Sequence, residues 1–203
     1  FYDHDIEKPK WFDAHFEEEH GKGKRMGKGK RKNQASKQPV NDIEDRGLGY
    51  ALATKSALGK NLIKAINEEG TVGAIEFCNT RALPITDSLS IMKNAVIKRV
   101  SDRPRNQSNS ANKDELDYIS YFKKLVAAGS EPKPIVKTEN GEVDFYYPIT
   151  TNTMCLQCHG KPNEQVTPET LTTLKMLYPR DKAVGYEVNE VRGIWVVNFD
   201  KEK

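Results

Sequence analysis

Apolar residues recur at helical spacing over 43–69, where Leu48, Ala51, Leu52, Leu58, Leu62, Ala65 and Ile66 form one stripe and Gly70 supplies a stop. This pattern predicts a long amphipathic helix at the start of an ordered domain over 41–203, with a polar tail over 1–40 before it. The run 71–78 is apolar enough to be buried, and Pro84 suits the first turn of a further short helix, which puts Cys78 close to a helix end. A β-branched, partly alternating run over 96–101 reads as a strand. Asn112 and Glu115 are spaced as a capping box, and Leu116, Ile119, Phe122 and Val126 carry a helical stripe up to Gly129. The runs 134–137 and 143–149 flank Asn140-Gly141, a dipeptide whose tolerance of positive φ predicts a tight hairpin. Thr167 and Pro168 mark the cap and first turn of a helix through Leu177, and 192–199 reads as a final strand. Helices mixed with an antiparallel hairpin and further strands indicate an α+β domain.

Charge is distributed unevenly. Of 32 Lys/Arg and 29 Asp/Glu, residues 1–38 hold ten and seven, so the body carries 22 of each and the whole net charge of +3 resides in the tail. The Gly/Lys/Arg-rich run 21–32 lacks apolar periodicity and reads as a solvated linker, with an anionic lipid surface or acidic partner as the sharper alternative. No stretch reaches the roughly eighteen uninterrupted apolar residues of a membrane span. The start, Phe1-Tyr2-Asp3-His4, lacks the basic-then-apolar order of a signal peptide, so the chain reads as processed or trimmed.

The pentapeptide Cys155-Leu156-Gln157-Cys158-His159 carries the chemistry. Two thiols separated by two residues can each add across a vinyl group of one haem, and the following imidazole then serves as an axial ligand. A thioredoxin-like dithiol or half a zinc site would not require the histidine, and zinc would call for a second Cys-x-x-Cys that the chain lacks. One covalent haem c is expected. Such attachment is made outside the bacterial cytoplasm, so a periplasmic or extracytoplasmic location is expected, with an export signal or membrane tether upstream of Phe1, and nucleic acid is not expected as a partner. Arg99, Arg103 and Arg105 are dense for an exposed loop and are candidates to bind the haem propionates through bidentate, charge-assisted bonds. Cys78 is an odd cysteine in an oxidising compartment. Met176, amid Leu171, Leu174 and Leu177, is the methionine to weigh as a sixth ligand or as core packing, Met154 is poorly placed to cross the ring, and an open site is the other alternative.

Several stretches together resemble the Tll-type mono-haem c-type sensor domain family: Ala74-Ile75-Glu76-Phe77-Cys78-Asn79, Lys98-Arg99-Val100-Ser101 with Arg105-Asn106, Phe145-Tyr146-Tyr147-Pro148-Ile149, the haem pentapeptide with Gly160, the run from Tyr178-Pro179-Arg180-Asp181 to Gly185-Tyr186, and Arg192-Gly193. They span most of 45–200 in family order. The resemblance implies a PAS-like antiparallel sheet flanked by helices, thioether links from Cys155 and Cys158, iron ligation by His159 and the Cys78 thiolate, and redox or small-gas (CO, NO) sensing. Two positions depart from the family pattern: Gln107 stands where a proline usually follows Arg-Asn, and Asn189 stands in place of a glycine, a mild change because asparagine tolerates the left-handed region.

Two other classes compete. A periplasmic electron carrier would suit a cytochrome c′-like four-helix bundle, against which the hairpin and final strand speak. A haem enzyme would need a distal acid or base, and His4, His15 and His20, the histidines outside the motif, all lie in the tail. The redox or signalling partner and a homodimer contact, for which the long helix is a candidate, are left open by the sequence.

Overall fold

The structure, a computed structural model, describes residues 39–199. The expectations for the tail, including the basic run and His4, His15 and His20, lie outside the described residues. In chain order the elements are α1 (Pro39–Lys93), β1 (Ala95–Val100), a 3-10 turn (Gln107–Asn109), α2 (Lys113–Ala127), β2 (Ile135–Glu139), β3 (Glu142–Thr150), a second 3-10 turn (Thr153–Cys155), α3 (Leu156–His159), α4 (Pro168–Leu177) and β4 (Val191–Phe199). The four strands form one antiparallel sheet in the order β1-β4-β3-β2. The class is therefore α+β, and the four-helix bundle is overturned by the sheet. Among the described residues no helix is long and apolar enough to cross a membrane.

Gly70 does interrupt α1, with φ 69° and ψ −171°, a conformation that costs glycine little because it has no Cβ. The two limbs fold back on each other there. Asn61 and Arg81 wall one groove, although twenty residues of straight helix would set them roughly 30 Å apart, and Lys93 Nζ lies 5.4 Å from the Tyr50 ring. The second limb corrects the reading of 71–93: it is one continuous helix, with Cys78 about two turns in and Pro84 inside it. Proline removes the N–H that would bond the Thr80 carbonyl. Both residues are exposed, so that carbonyl faces solvent and the helix survives the loss.

The continuous apolar run of β4 suits a central strand covered on both faces. Trp195, Val197 and Phe199 pack with Ala95, Ile97 and Phe145 against Ala51 of α1, whereas Ile194 and Val196 pack with Val100 and Tyr146 against Ile119 and Phe122 of α2. Local signals held where partners are close in sequence. The Asn112/Glu115 capping box is present in both directions, Thr167 caps α4 with Pro168 in its first turn, and Asn140 (φ 52°) and Gly141 (φ 77°) form the two-residue turn between Glu139 and Glu142.

Gly47 sets how closely α1 approaches the sheet. A Cβ there would lie 2.4 Å from ring atoms of fully buried Phe145, which has no room to retreat. Gly47→Ala is expected to destabilise the domain by about 1–3 kcal/mol despite the better helix propensity of alanine. Thermal denaturation checks this, and an unchanged midpoint would refute the close approach.

Candidate functional site

Cys155 and Cys158, three residues apart in the turn that joins the second 3-10 segment to α3, lie on one face of it, and both are free, half-buried thiols. Asn152 starts the turn: its side-chain oxygen accepts from Cys155 N and lies 3.1 Å from Cys155 Sγ. The turn ends at Gly160, and residues 181–186 then run back over it as a strap. Gly185 N donates to the Gly160 carbonyl and Tyr186 N to the His159 carbonyl. This strap sets the imidazole. His159 Nδ1 lies 2.6 Å from the Ala183 carbonyl and 3.3 Å from Arg192 Nε. A carbonyl only accepts, so Nδ1 carries the proton and donates to Ala183, and the Arg192 contact is electrostatic rather than a second hydrogen bond. Burial, reinforced by Arg192 and Arg105, holds the His159 pKa well below the usual range. The ring is therefore neutral, with an unprotonated Nε2, the state in which a histidine ligates a metal while its other nitrogen is fixed by a backbone carbonyl.

The strap is held by the loop after β1. Arg105 Nε pairs with Asp181 Oδ2 at 3.0 Å, both side chains only 10% exposed, and Arg105 Nη2 donates to the carbonyls of Cys158 (2.6 Å) and Ala183 (3.2 Å). Asp181 Oδ1 accepts from Ala183 N at 2.7 Å, the local turn bond that aspartate favours. Arg103 donates to the carbonyls of Lys182 and Val184 and stacks over the Tyr186 ring, 4.5 Å from its centroid. At the two departures from the family pattern, Gln107 opens the first 3-10 turn and donates to the Arg180 carbonyl at 2.9 Å, and Asn189 adopts φ 64°. Of the three arginines predicted to meet propionates, Arg103 and Arg105 are thus occupied with backbone and Asp181. Arg99, half-buried beside the Trp195 ring, has no such engagement among the described residues.

Sequence reasoning missed Asp181, Ala183 and Arg192 as site residues. All three were legible only as parts of the family motifs, and the Ala183 carbonyl, being backbone, carries no side-chain signature. Arg192 is aimed by a bulge: Ile149 pairs with Gly193 and Thr150 with Val191, which leaves Arg192 as the extra residue of β4. Bulges re-aim side chains in this way.

Cys78 joins this group from α1. One turn before it on the same face, Ile75 packs in a cluster with Val166, Leu174 and Tyr178, against which Cys158 also rests. Burial raises the Cys78 pKa, opposed by Arg99, Arg105 and Arg192; burial likewise pushes the Cys158 thiol up to about 11. Met176 is 71% exposed on α4, which overturns both its core and its ligand readings.

This set of residues fits a haem: two thiols on one face of a turn, a neighbouring imidazole whose Nε2 is free, a further thiol, and two guanidinium groups, Arg99 and Arg192, that have no carboxylate partner among the described residues. Among the described residues no group of three or more His, Cys, Asp or Glu side chains is arranged to hold a metal ion. A polar cleft of about 270 Å³ opens next to this group, with Asn79, Arg105 and Tyr178 in its wall.

A family model described as Tll0287-like matches residues 19–199 of the chain. The structure is also similar to the crystal structure of the cyanobacterial heme-protein Tll0287, at 18% identity and a TM-score of 0.57, over 77% of this chain and 96% of that one. No curated protein matches.

Proposed function

The chain belongs to the Tll0287-like family, and from that premise we propose that it is an exported mono-haem c-type protein that senses redox state or a small gas such as CO or NO. Cys155 and Cys158 would hold the haem by thioether bonds, His159 Nε2 and Cys78 Sγ would ligate its iron, and the sheet with its helices is PAS-like. When bound, the haem supplies the one-electron and gas-binding chemistry; the protein attaches it, orients the imidazole and provides the thiol. The observation that carries this reading is the His159 Nδ1 to Ala183 bond, which leaves Nε2 bare directly after a Cys-x-x-Cys pair. The cleft beside Asn79 supports access for a small ligand.

Sensing is favoured over simple electron transfer by the surroundings of Cys78. It is carried by the second limb of α1, joined to the first through Gly70, whereas a carrier is best served by ligands that stay in place in both oxidation states. The helix bearing Cys78 is the element a redox or signalling partner would read.

Haem staining after denaturing electrophoresis is the direct test. Colour should remain on the 23.0 kDa band and vanish in Cys155→Ser/Cys158→Ser. Colour that runs free of the wild-type band would refute covalent attachment.

A further inference from the structure

We propose that Arg99 and Arg192 are the pair that binds the two haem propionates, while Arg103 and Arg105 hold the strap that orients His159. This inference rests on the haem reading above and goes beyond it in assigning the carboxylate site. The division follows from how each guanidinium is used. Arg105 is neutralised by Asp181 and gives two further bonds to carbonyls; Arg103 donates to two carbonyls and stacks on Tyr186. In each, Nε and Nη2 are already bonded, which leaves a ligand carboxylate only Nη1 and no Nε/Nη2 edge to grip.

Arg99 and Arg192 differ in the relevant respect. Among the described residues neither has a carboxylate partner, and the acidic groups that face them are thiols and phenols: Cys78 and Tyr178 for Arg99, Tyr186 and Cys155 for Arg192. Two half-buried cations that repel each other are costly in a folded protein unless something anionic joins them. Burial and the repulsion from Arg105 and Arg99 lower the Arg192 pKa to about 10, which still leaves it charged at neutral pH. Of the three arginines whose charges act on His159, Arg105 is cancelled by Asp181, which leaves Arg99 and Arg192, and a haem brings two carboxylates on one edge. Both arginines face the site from adjacent strands, Arg99 from β1 and Arg192 from the bulge of β4, so a bidentate contact from each is available to a ligand carrying paired carboxylates.

The test compares single variants of the haem-loaded protein by resonance Raman spectroscopy and potentiometry. Arg99→Gln and Arg192→Gln should each shift the propionate bending bands and lower the midpoint potential, because a positive charge beside the haem carboxylates favours the reduced state. Arg103→Gln should lower the melting temperature with those bands unmoved. Should Arg192→Gln fail to mature, Arg192→Lys, which keeps the charge but not the fork, should mature and shift the bands. Haem retained with bands unchanged in the Arg99 and Arg192 variants, or bands that move only in the Arg103 variant, would overturn the assignment alone. Absence of covalent haem from the wild type would overturn the functional reading and this pair with it.

Discussion

Cys78→Ala should abolish the ferric low-spin thiolate signal in electron paramagnetic resonance and raise the midpoint potential by tens to hundreds of millivolts. A thiolate donates a full negative charge to iron and so favours the ferric state, and axial-ligand choice spans a range of ~0.8 V. Each ~59 mV corresponds to a tenfold change in relative affinity for the two oxidation states. The local electrostatics add a second consequence. Burial of Cys78 outweighs the attraction of Arg99, Arg105 and Arg192 and drives its pKa upward, so a thiolate bound to iron there would be held against its surroundings. On the proposed reading, an added electron would weaken the hold on a negative ligand, and Cys78 would then take up a proton and leave. Because Cys78 sits within the continuous second limb of α1, on the face that carries Ile75, its release loosens a whole helix that is hinged at Gly70. Amide hydrogen exchange over 71–93 should therefore be faster in the reduced than in the oxidised wild type, and the difference should vanish in Cys78→Ala. An electron-resonance signal unchanged by the substitution would assign the sixth position to another group, and Met176, at 71% exposure, is not positioned to be that group.

The other large effect is expected at Asp181. Asp181→Asn leaves Arg105 as an uncompensated charge in a site where both side chains are 10% exposed, and breaking such a pair typically costs 3–5 kcal/mol. It also weakens the bond to Ala183 N and so loosens the carbonyl that fixes His159. At roughly 2–4 °C per kcal/mol for a domain of this size, the melting midpoint should fall by about 6–20 °C. The ion pair is the cause if Asp181→Asn/Arg105→Gln loses clearly less stability than the two single variants added together. Additive losses would mean that the two residues act separately, and an unchanged midpoint would remove the strap from the account of the site.

Membership in the family and the α+β class were both legible in the chain, because they are written in local patterns and short motifs. The Asn112/Glu115 box, the Asn140-Gly141 turn, the Thr167-Pro168 start and the unbroken apolar run of β4 depend on partners a few residues away or on burial of both faces of one strand, so they survive reading without coordinates. Pro84 was misread because its usual meaning as a helix start is a statistical preference. Its place within a helix depends on solvent reaching the Thr80 carbonyl, which is a fact about the fold. Sequence alone made Arg99, Arg103 and Arg105 equivalent, since residue type and density do not say what else competes for a guanidinium. Tertiary structure separated them by bringing 181–184 against Arg103 and Arg105, some eighty residues away, and by opposing Thr150 to Val191 so that Arg192 bulges toward His159. The physical reason is range: caps and turns are decided by near neighbours along the chain, whereas the partner of a buried charge is decided by whichever distant segment the sheet order β1-β4-β3-β2 brings beside it.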